Sequence, residues 1–155
     1  MANVVIKKAK HLSGVVCAPA SKSYTQRMII ASALSIGTSK VSNPLFSEDT
    51  EATLRAVTAL GAELKANDSC WAITGAKLLK AAKEPIDCGE SGATLRFMIP
   101  VAALADGVST LLFRGSLARR PVEPLLQSLK DLGAQAYLKK IGAYEAVSIE
   151  GGGIT

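Results

Sequence analysis

One order of turns, helices and strands is written twice along this sequence, so any fold it adopts has to accommodate two like units. Each copy opens on a short apolar run, residues 15–17 and then 86–88. The run enters a turn of small residues, Pro19-Ala20-Ser21-Lys22-Ser23 in the first copy and Gly89-Glu90-Ser91-Gly92-Ala93-Thr94 in the second. A helix rich in small and apolar residues follows, over 23–36 and 94–106, and each stops before a glycine, Gly37 or Gly107, as helix C-termini favour. A strand comes next (39–42, 109–113), then a polar link and a second helix (48–60, 122–132). Both second helices run into one triplet, Leu60-Gly61-Ala62 and Leu132-Gly133-Ala134. Ser47 ahead of Glu48, Asp49 and Glu51 supplies a cap and negative charge, and Pro121 suits a first helical position. Alternating segments at 63–65 with 70–74, and at 135–139 with 143–149, read as closing hairpins.

The pattern is β-α-β-α-β-β twice over, an α+β class in which helices pack on small mixed sheets. The first unit is expected over residues 14–75 and the second over 85–150, joined by a link at 76–84. Residues 1–8 read as a strand without a counterpart in either copy. The glycine-rich stretch at 150–155 has no helix or strand to cover what precedes it, and reads as a cut in a longer chain.

The turns also carry the chemistry. Backbone N–H groups at a helix start are unpaired and bear about half a positive charge, so small side chains there let a phosphate or carboxylate come close. Each turn is followed within its helix by an arginine, Arg27 in one copy and Arg96 in the other. Two such starts suit a ligand with two anionic groups, or two anionic ligands.

Composition narrows the alternatives. Eighteen basic residues against thirteen acidic give a formal charge of +5, spread along the chain rather than gathered in a tract. That balance fits acidic small molecules, and with aromatics at 5% there are few platforms for stacking bases, so nucleic acid is not expected. The apolar runs at 28–36 and 97–105 fall far short of the ~20 residues that span a bilayer, so no membrane partner is expected. Cys17, Cys70 and Cys88 lack C-x-x-C spacing and read as reduced, mostly buried thiols. With His11 the only histidine, no metal is expected.

The turn sequences carry a resemblance. Pro19-Ala20-Ser21-Lys22-Ser23-Tyr24-Thr25-Gln26-Arg27, Ser47-Glu48-Asp49-Thr50, Asp87-Cys88-Gly89-Glu90-Ser91-Gly92-Ala93-Thr94-Leu95-Arg96-Phe97 and Ser116-Leu117-Ala118-Arg119-Arg120-Pro121, in this order, resemble the enolpyruvyl transferases, most closely their shikimate-pathway branch. The resemblance implies a cytoplasmic, monomeric two-domain enzyme of six such units, about two of them present here. It would join shikimate 3-phosphate to phosphoenolpyruvate without a cofactor, with phosphorylated small molecules and the rest of the enzyme as its partners. By the same resemblance Lys22, Ser23 and Arg27 hold shikimate 3-phosphate, while Lys22, Gly92 and Arg120 face phosphoenolpyruvate, the site that glyphosate occupies in this family. Lys22 is also the catalytic candidate for proton transfer. Two relatives stand as alternatives: a UDP-N-acetylglucosamine enolpyruvyl transferase, which begins on a Lys-Asn turn, and a phospho-ligand or RNA-binding module akin to RNA 3′-terminal phosphate cyclases.

Other readings stand beside these. Ser23 could serve only as an N-cap, and Gly92 as a plain turn glycine. Arg96 either faces the cleft or pairs with Asp49, itself read as a helix-start residue. Glu90 is awkward beside an anion; it is placed behind the residues that would touch the ligand, with an ion pair to a nearby arginine as the other reading. Ala93 replaces the family's usual threonine, and the lost hydroxyl is worth about 0.5–1.5 kcal/mol of hydrogen bonding. Trp71 and Tyr24 read as packing residues.

Overall fold

The computed structural model describes residues 3–67 and 69–152. Its elements run in the order α1 (Lys22–Leu34), β1 (Thr38–Ser42), α2 (Glu48–Ala59), β2 (Glu63–Ala66), β3 (Cys70–Thr74), β4 (Ile86–Asp87), α3 (Gly92–Ala103), β5 (Gly107–Phe113), a 3-10 turn (Leu117–Arg119), α4 (Glu123–Asp131), β6 (Gln135–Ile141) and β7 (Tyr144–Gly151). The strands form two sheets, β1-β3-β2 and β4-β5-β7-β6. In the second sheet β4 lies parallel to β5, with Ile86 opposite Leu111, and the other pairs are antiparallel. The helices cover one face of each sheet. Ile29, Ala33, Leu54, Val57, Trp71 and Ile73 meet Leu95, Met98, Ile99, Leu111, Val147 and Ile149 in one continuous core. Among the described residues no helix is long and apolar enough to cross a membrane.

Several expectations fail at the N-terminal side. Residues 3–8 form no strand, and the run at 15–17 does not pair with β1 as β4 pairs with β5. A two- or three-residue strand gains few ladder bonds and has to be held by packing. Ile86 is 4% exposed and anchors β4, whereas Val15 and Val16 are 97% and 91% exposed and touch no core. The first sheet therefore has three strands where the second has four. Cys17 is exposed and Cys70 half-buried, so only Cys88 is the buried thiol expected, its pKa pushed up to about 12 by desolvation. Trp71 does pack, 4.9 Å edge-on to Phe46, but Tyr24 points to solvent. Pro121 precedes α4 rather than opening it, and Pro124 takes the early helical position. The stretch at 153–155 lies outside the described residues, as do Met1 and Ala2.

Candidate functional site

All the candidate residues line a single open cleft of about 490 Å³ between the starts of α1 and α3: Lys22, Ser23 and Arg27 from α1, Asp49 from α2, Glu90, Gly92, Ala93 and Arg96 from the second turn and α3, and Arg120 from beyond the 3-10 turn. Arg119, its neighbour in sequence, is not among the lining residues.

On the α1 side, Ser21 rather than Ser23 is the N-cap, its hydroxyl accepting from the Tyr24 N–H at 3.3 Å. Ser23 thus sits inside the first turn, its carbonyl accepting from the Arg27 guanidinium at 3.0 Å. Arg27 has no carboxylate partner among the described ion pairs and lies 5.1 Å over the Phe97 ring of α3. Lys22 occupies the first helical position, where a cation opposes the helix dipole, and donates to the Asp49 carboxylate. Partial burial disfavours ionisation of Asp49, but the Lys22 ammonium and the Ser91 hydroxyl outweigh it and hold its carboxyl below the ordinary 3.8. Asp49 is also in the first turn of α2, so the partial positive charge of that helix start stabilises it alongside the Lys22 ammonium.

On the α3 side, Ser91 caps the helix through the Thr94 N–H at 3.3 Å. Gly92 follows at the first helical position, outside the left-handed region, so its backbone does not require glycine. A Cβ there would lie 3.0 Å from the Arg96 guanidinium, which would have to give way by a few tenths of an ångström, and in ordinary contact at 3.6 Å with that of Arg120, so the missing side chain leaves these two cations close to the backbone. Arg96 does not pair with Asp49; it donates to the Pro121 carbonyl at 3.0 Å, tying α3 to the segment that carries Arg120. Glu90 forms no ion pair with an arginine among the described residues, so that alternative reading does not hold. Its carboxylate accepts from the Ser116 N–H at 2.7 Å, and Ser116 keeps it in the charged form, its pKa lowered. That carboxylate fills the space over Gly115, where a Cβ would fall 2.3 Å from it and where φ is +61°. The cleft therefore holds four cations and two carboxylates, both already occupied, and neither α1 nor α3 has an acidic residue in its first turn. It is built to receive negative charge.

At the floor of the cleft, which Gln26 and Ser91 also line, lies a buried polar network that the motifs did not reveal. Gln26, 1% exposed, reaches from α1 to Thr53 on α2 (3.1 Å) and to Ser91 (3.1 Å) and Thr94 (3.2 Å) at the start of α3. The signal was present in the sequence: Gln26 falls on the same helical face as Ile29 and Ala33, where an uncharged polar residue has to find partners. Also unforeseen is Arg114, which donates to both oxygens of Asp87 at 2.8 and 2.9 Å on the wall of a neighbouring cavity of about 660 Å³.

Such a frame, with helix starts from two like units opening on one anion-receptive cleft, is that of an enolpyruvyl transferase fold. EPSP synthase from Acinetobacter baumannii superimposes with a TM-score of 0.81 at 29% identity, over 90% of this chain and 32% of that one. The chain belongs to the EPSP synthase (3-phosphoshikimate 1-carboxyvinyltransferase) family, whose profile it matches over residues 6–155. It is 37% identical over 151 residues to the 3-phosphoshikimate 1-carboxyvinyltransferase of Methanothermobacter thermautotrophicus, covering 97% of this chain and 36% of that protein. With the enzyme of that name from Methanobrevibacter smithii it shares 40% over 136 residues, 86% of this chain and 31% of the relative. The chain thus spans about a third of the length of the curated relatives it matches.

Proposed function

We propose that this chain supplies one wall of the active site of a cytoplasmic 3-phosphoshikimate 1-carboxyvinyltransferase, which moves the enolpyruvyl group of phosphoenolpyruvate onto shikimate 3-phosphate in aromatic amino-acid biosynthesis. The observation that carries the proposal is the convergence of the α1 and α3 starts on one cleft lined by Lys22, Arg27, Arg96 and Arg120. Two crowded anions must be held together before they can react, and fixed cations with unpaired N–H groups do so without reorganising. Lys22, Ser23 and Arg27 bind shikimate 3-phosphate; Lys22, Gly92 and Arg120 face phosphoenolpyruvate, with arginine as a planar fork for phosphate or carboxylate and lysine as a compact donor.

In the reaction the phosphoenolpyruvate methylene takes up a proton, a hydroxyl of shikimate 3-phosphate bonds to the resulting cationic carbon, and phosphate leaves as a proton is lost. Lys22 belongs to both substrate sets and is the group of this wall assigned to proton transfer. Its bond to Asp49 has to be exchanged for, or shared with, a ligand oxygen on binding. The rest of the enzyme, a monomer, supplies the opposite wall.

The test is an NMR titration of the chain with shikimate 3-phosphate, following the amides of residues 21–27 and 89–96. Localised, saturable shifts that Lys22→Ala abolishes are expected, and UDP-N-acetylglucosamine should leave those amides unmoved. Shifts produced by the sugar nucleotide in place of shikimate 3-phosphate would overturn the assignment.

A further inference from the structure

We infer that Gln26 is the positioning residue that keeps the α1 and α3 halves of the cleft in register, an inference that rests on the function proposed above. Its amide nitrogen has four acceptors in range: Thr53 Oγ1 and Ser91 Oγ at 3.1 Å, Thr94 Oγ1 at 3.2 Å and the Asp49 carbonyl at 3.4 Å. Two hydrogens cannot serve all four at once. The acceptors are instead joined to one another, Thr53 to Thr94 at 2.7 Å and Ser91 to Thr94 at 2.8 Å, so the amide closes a network spanning three helix starts.

The place of each partner gives the network its consequence. Ser91 caps α3 and directly precedes Gly92, and Asp49 is the residue whose carboxylate holds Lys22. Gln26 itself lies one turn beyond Lys22 and immediately before Arg27. Other contacts join the two sides: the apolar core that Ile29 shares with Leu95 and Met98, the Lys22–Asp49 pair with Thr94 donating to the Asp49 carbonyl, and the exposed Arg27 guanidinium over Phe97; Gln26 is the side chain that hydrogen-bonds directly from α1 to the first turn of α3. A buried, multiply bonded amide fixes the distance between the two starts far more tightly than the exposed guanidinium does. The α1 subsite is assembled from a single helix and keeps its shape without this tie, whereas reaction needs both subsites at their correct separation.

That difference is measurable in the full-length enzyme carrying this chain. Gln26→Met keeps the length and approximate volume of the side chain while removing its donors. Binary affinity for shikimate 3-phosphate should stay near the wild-type value while kcat falls about 100-fold, the scale of a 1 Å misplacement between reacting groups. Gln26→Asn, which keeps the amide on a shorter stem, should recover part of that loss. A folded Gln26→Met enzyme with wild-type kcat would overturn the inference, and so would a loss of binary affinity equal to the loss in kcat, which marks general damage. If Gln26→Met does not fold, Gln26→Asn carries the same comparison: lowered kcat with binary affinity retained supports the inference, and wild-type kcat or equal losses overturn it. Failure of the wild-type enzyme to form product from the two substrates would instead refute the underlying function, and the inference with it.

Discussion

Lys22 is placed against its own helix dipole, and the fold answers with a carboxylate drawn from a different helix. Because Asp49 titrates below its ordinary 3.8 in the folded chain, it contributes stability above that pH and loses it as pH falls through the lowered value. Unfolding by urea at a series of pH values should therefore show stability declining below about 4. Asp49→Asn should flatten that acid limb and, by leaving Lys22 unpaired, tighten inorganic phosphate in the cleft at neutral pH. An unaltered acid limb in Asp49→Asn would assign the decline to other carboxylates, Asp87 foremost. Gly92 lends itself to a second substitution. Its helical backbone accepts alanine, but the added methyl meets the Arg96 guanidinium at 3.0 Å and comes into contact with Arg120. Gly92→Ala should weaken phosphoenolpyruvate while leaving the amide shifts at 21–27 caused by shikimate 3-phosphate intact, as a titration with each ligand in turn would show.

Among the elements, the helix starts carry both stability and chemistry, and they differ in how they are secured. α2 has a reciprocal capping box between Ser47 and Thr50 and three acidic residues in its first turn, so its N-terminal charge is already satisfied. Ser47→Ala should cost about 1 kcal/mol. Thr53→Val, which strips a fully buried hydroxyl from the Gln26 network, should cost more, about 1–3 kcal/mol, because partners are left unsatisfied. Chemical denaturation of the two variants ranks them, and the reverse order would mean that the network repacks around the loss. The order and type of the elements were legible in the sequence, and Gly61 and Gly133 directly follow the C-caps of α2 and α4, but α1 and α3 end at Leu34 and Ala103, short of the Gly37 and Gly107 expected to stop them, and α3 opens at Gly92 rather than Thr94. The pattern was misleading where only hydrophobicity spoke: Val15 and Val16 match the composition of Ile86 and Cys88 but find no core to enter. The cleft was legible because its residues sit in contiguous turn motifs. The network was only partly so: Gln26 is marked by its place on the apolar face of α1, but its partners Thr53 and Thr94 are set by three helices meeting, which no local pattern records. α3 even runs through Pro100, which cannot donate to the Arg96 carbonyl, because burial of Leu95, Met98, Ile99 and Ala102 outweighs the lost bond.

At the scale of the whole molecule, the cleft is a surface rather than an enclosure. Lys22 keeps 49% of its side chain exposed while paired, and Arg27 and Arg120 lie in solvent. Charges so placed attract anions through a high-dielectric medium, where each contact is worth little and salt screens it. The curated relatives are about three times as long, and the proposed chemistry needs a second wall and the water exclusion that this open cleft does not provide. The chain alone should therefore bind shikimate 3-phosphate weakly, on the millimolar scale of a few exposed contacts, with affinity falling as salt is raised. It should also form no enolpyruvyl product. Mixing it with the remaining polypeptide, expressed separately, should tighten binding and restore turnover, because closing the second wall removes water and raises the strength of every charge contact inside. Phosphate release from phosphoenolpyruvate, measured with and without the added partner, decides the matter. Turnover by the 155-residue chain alone would mean that this wall already holds a complete site.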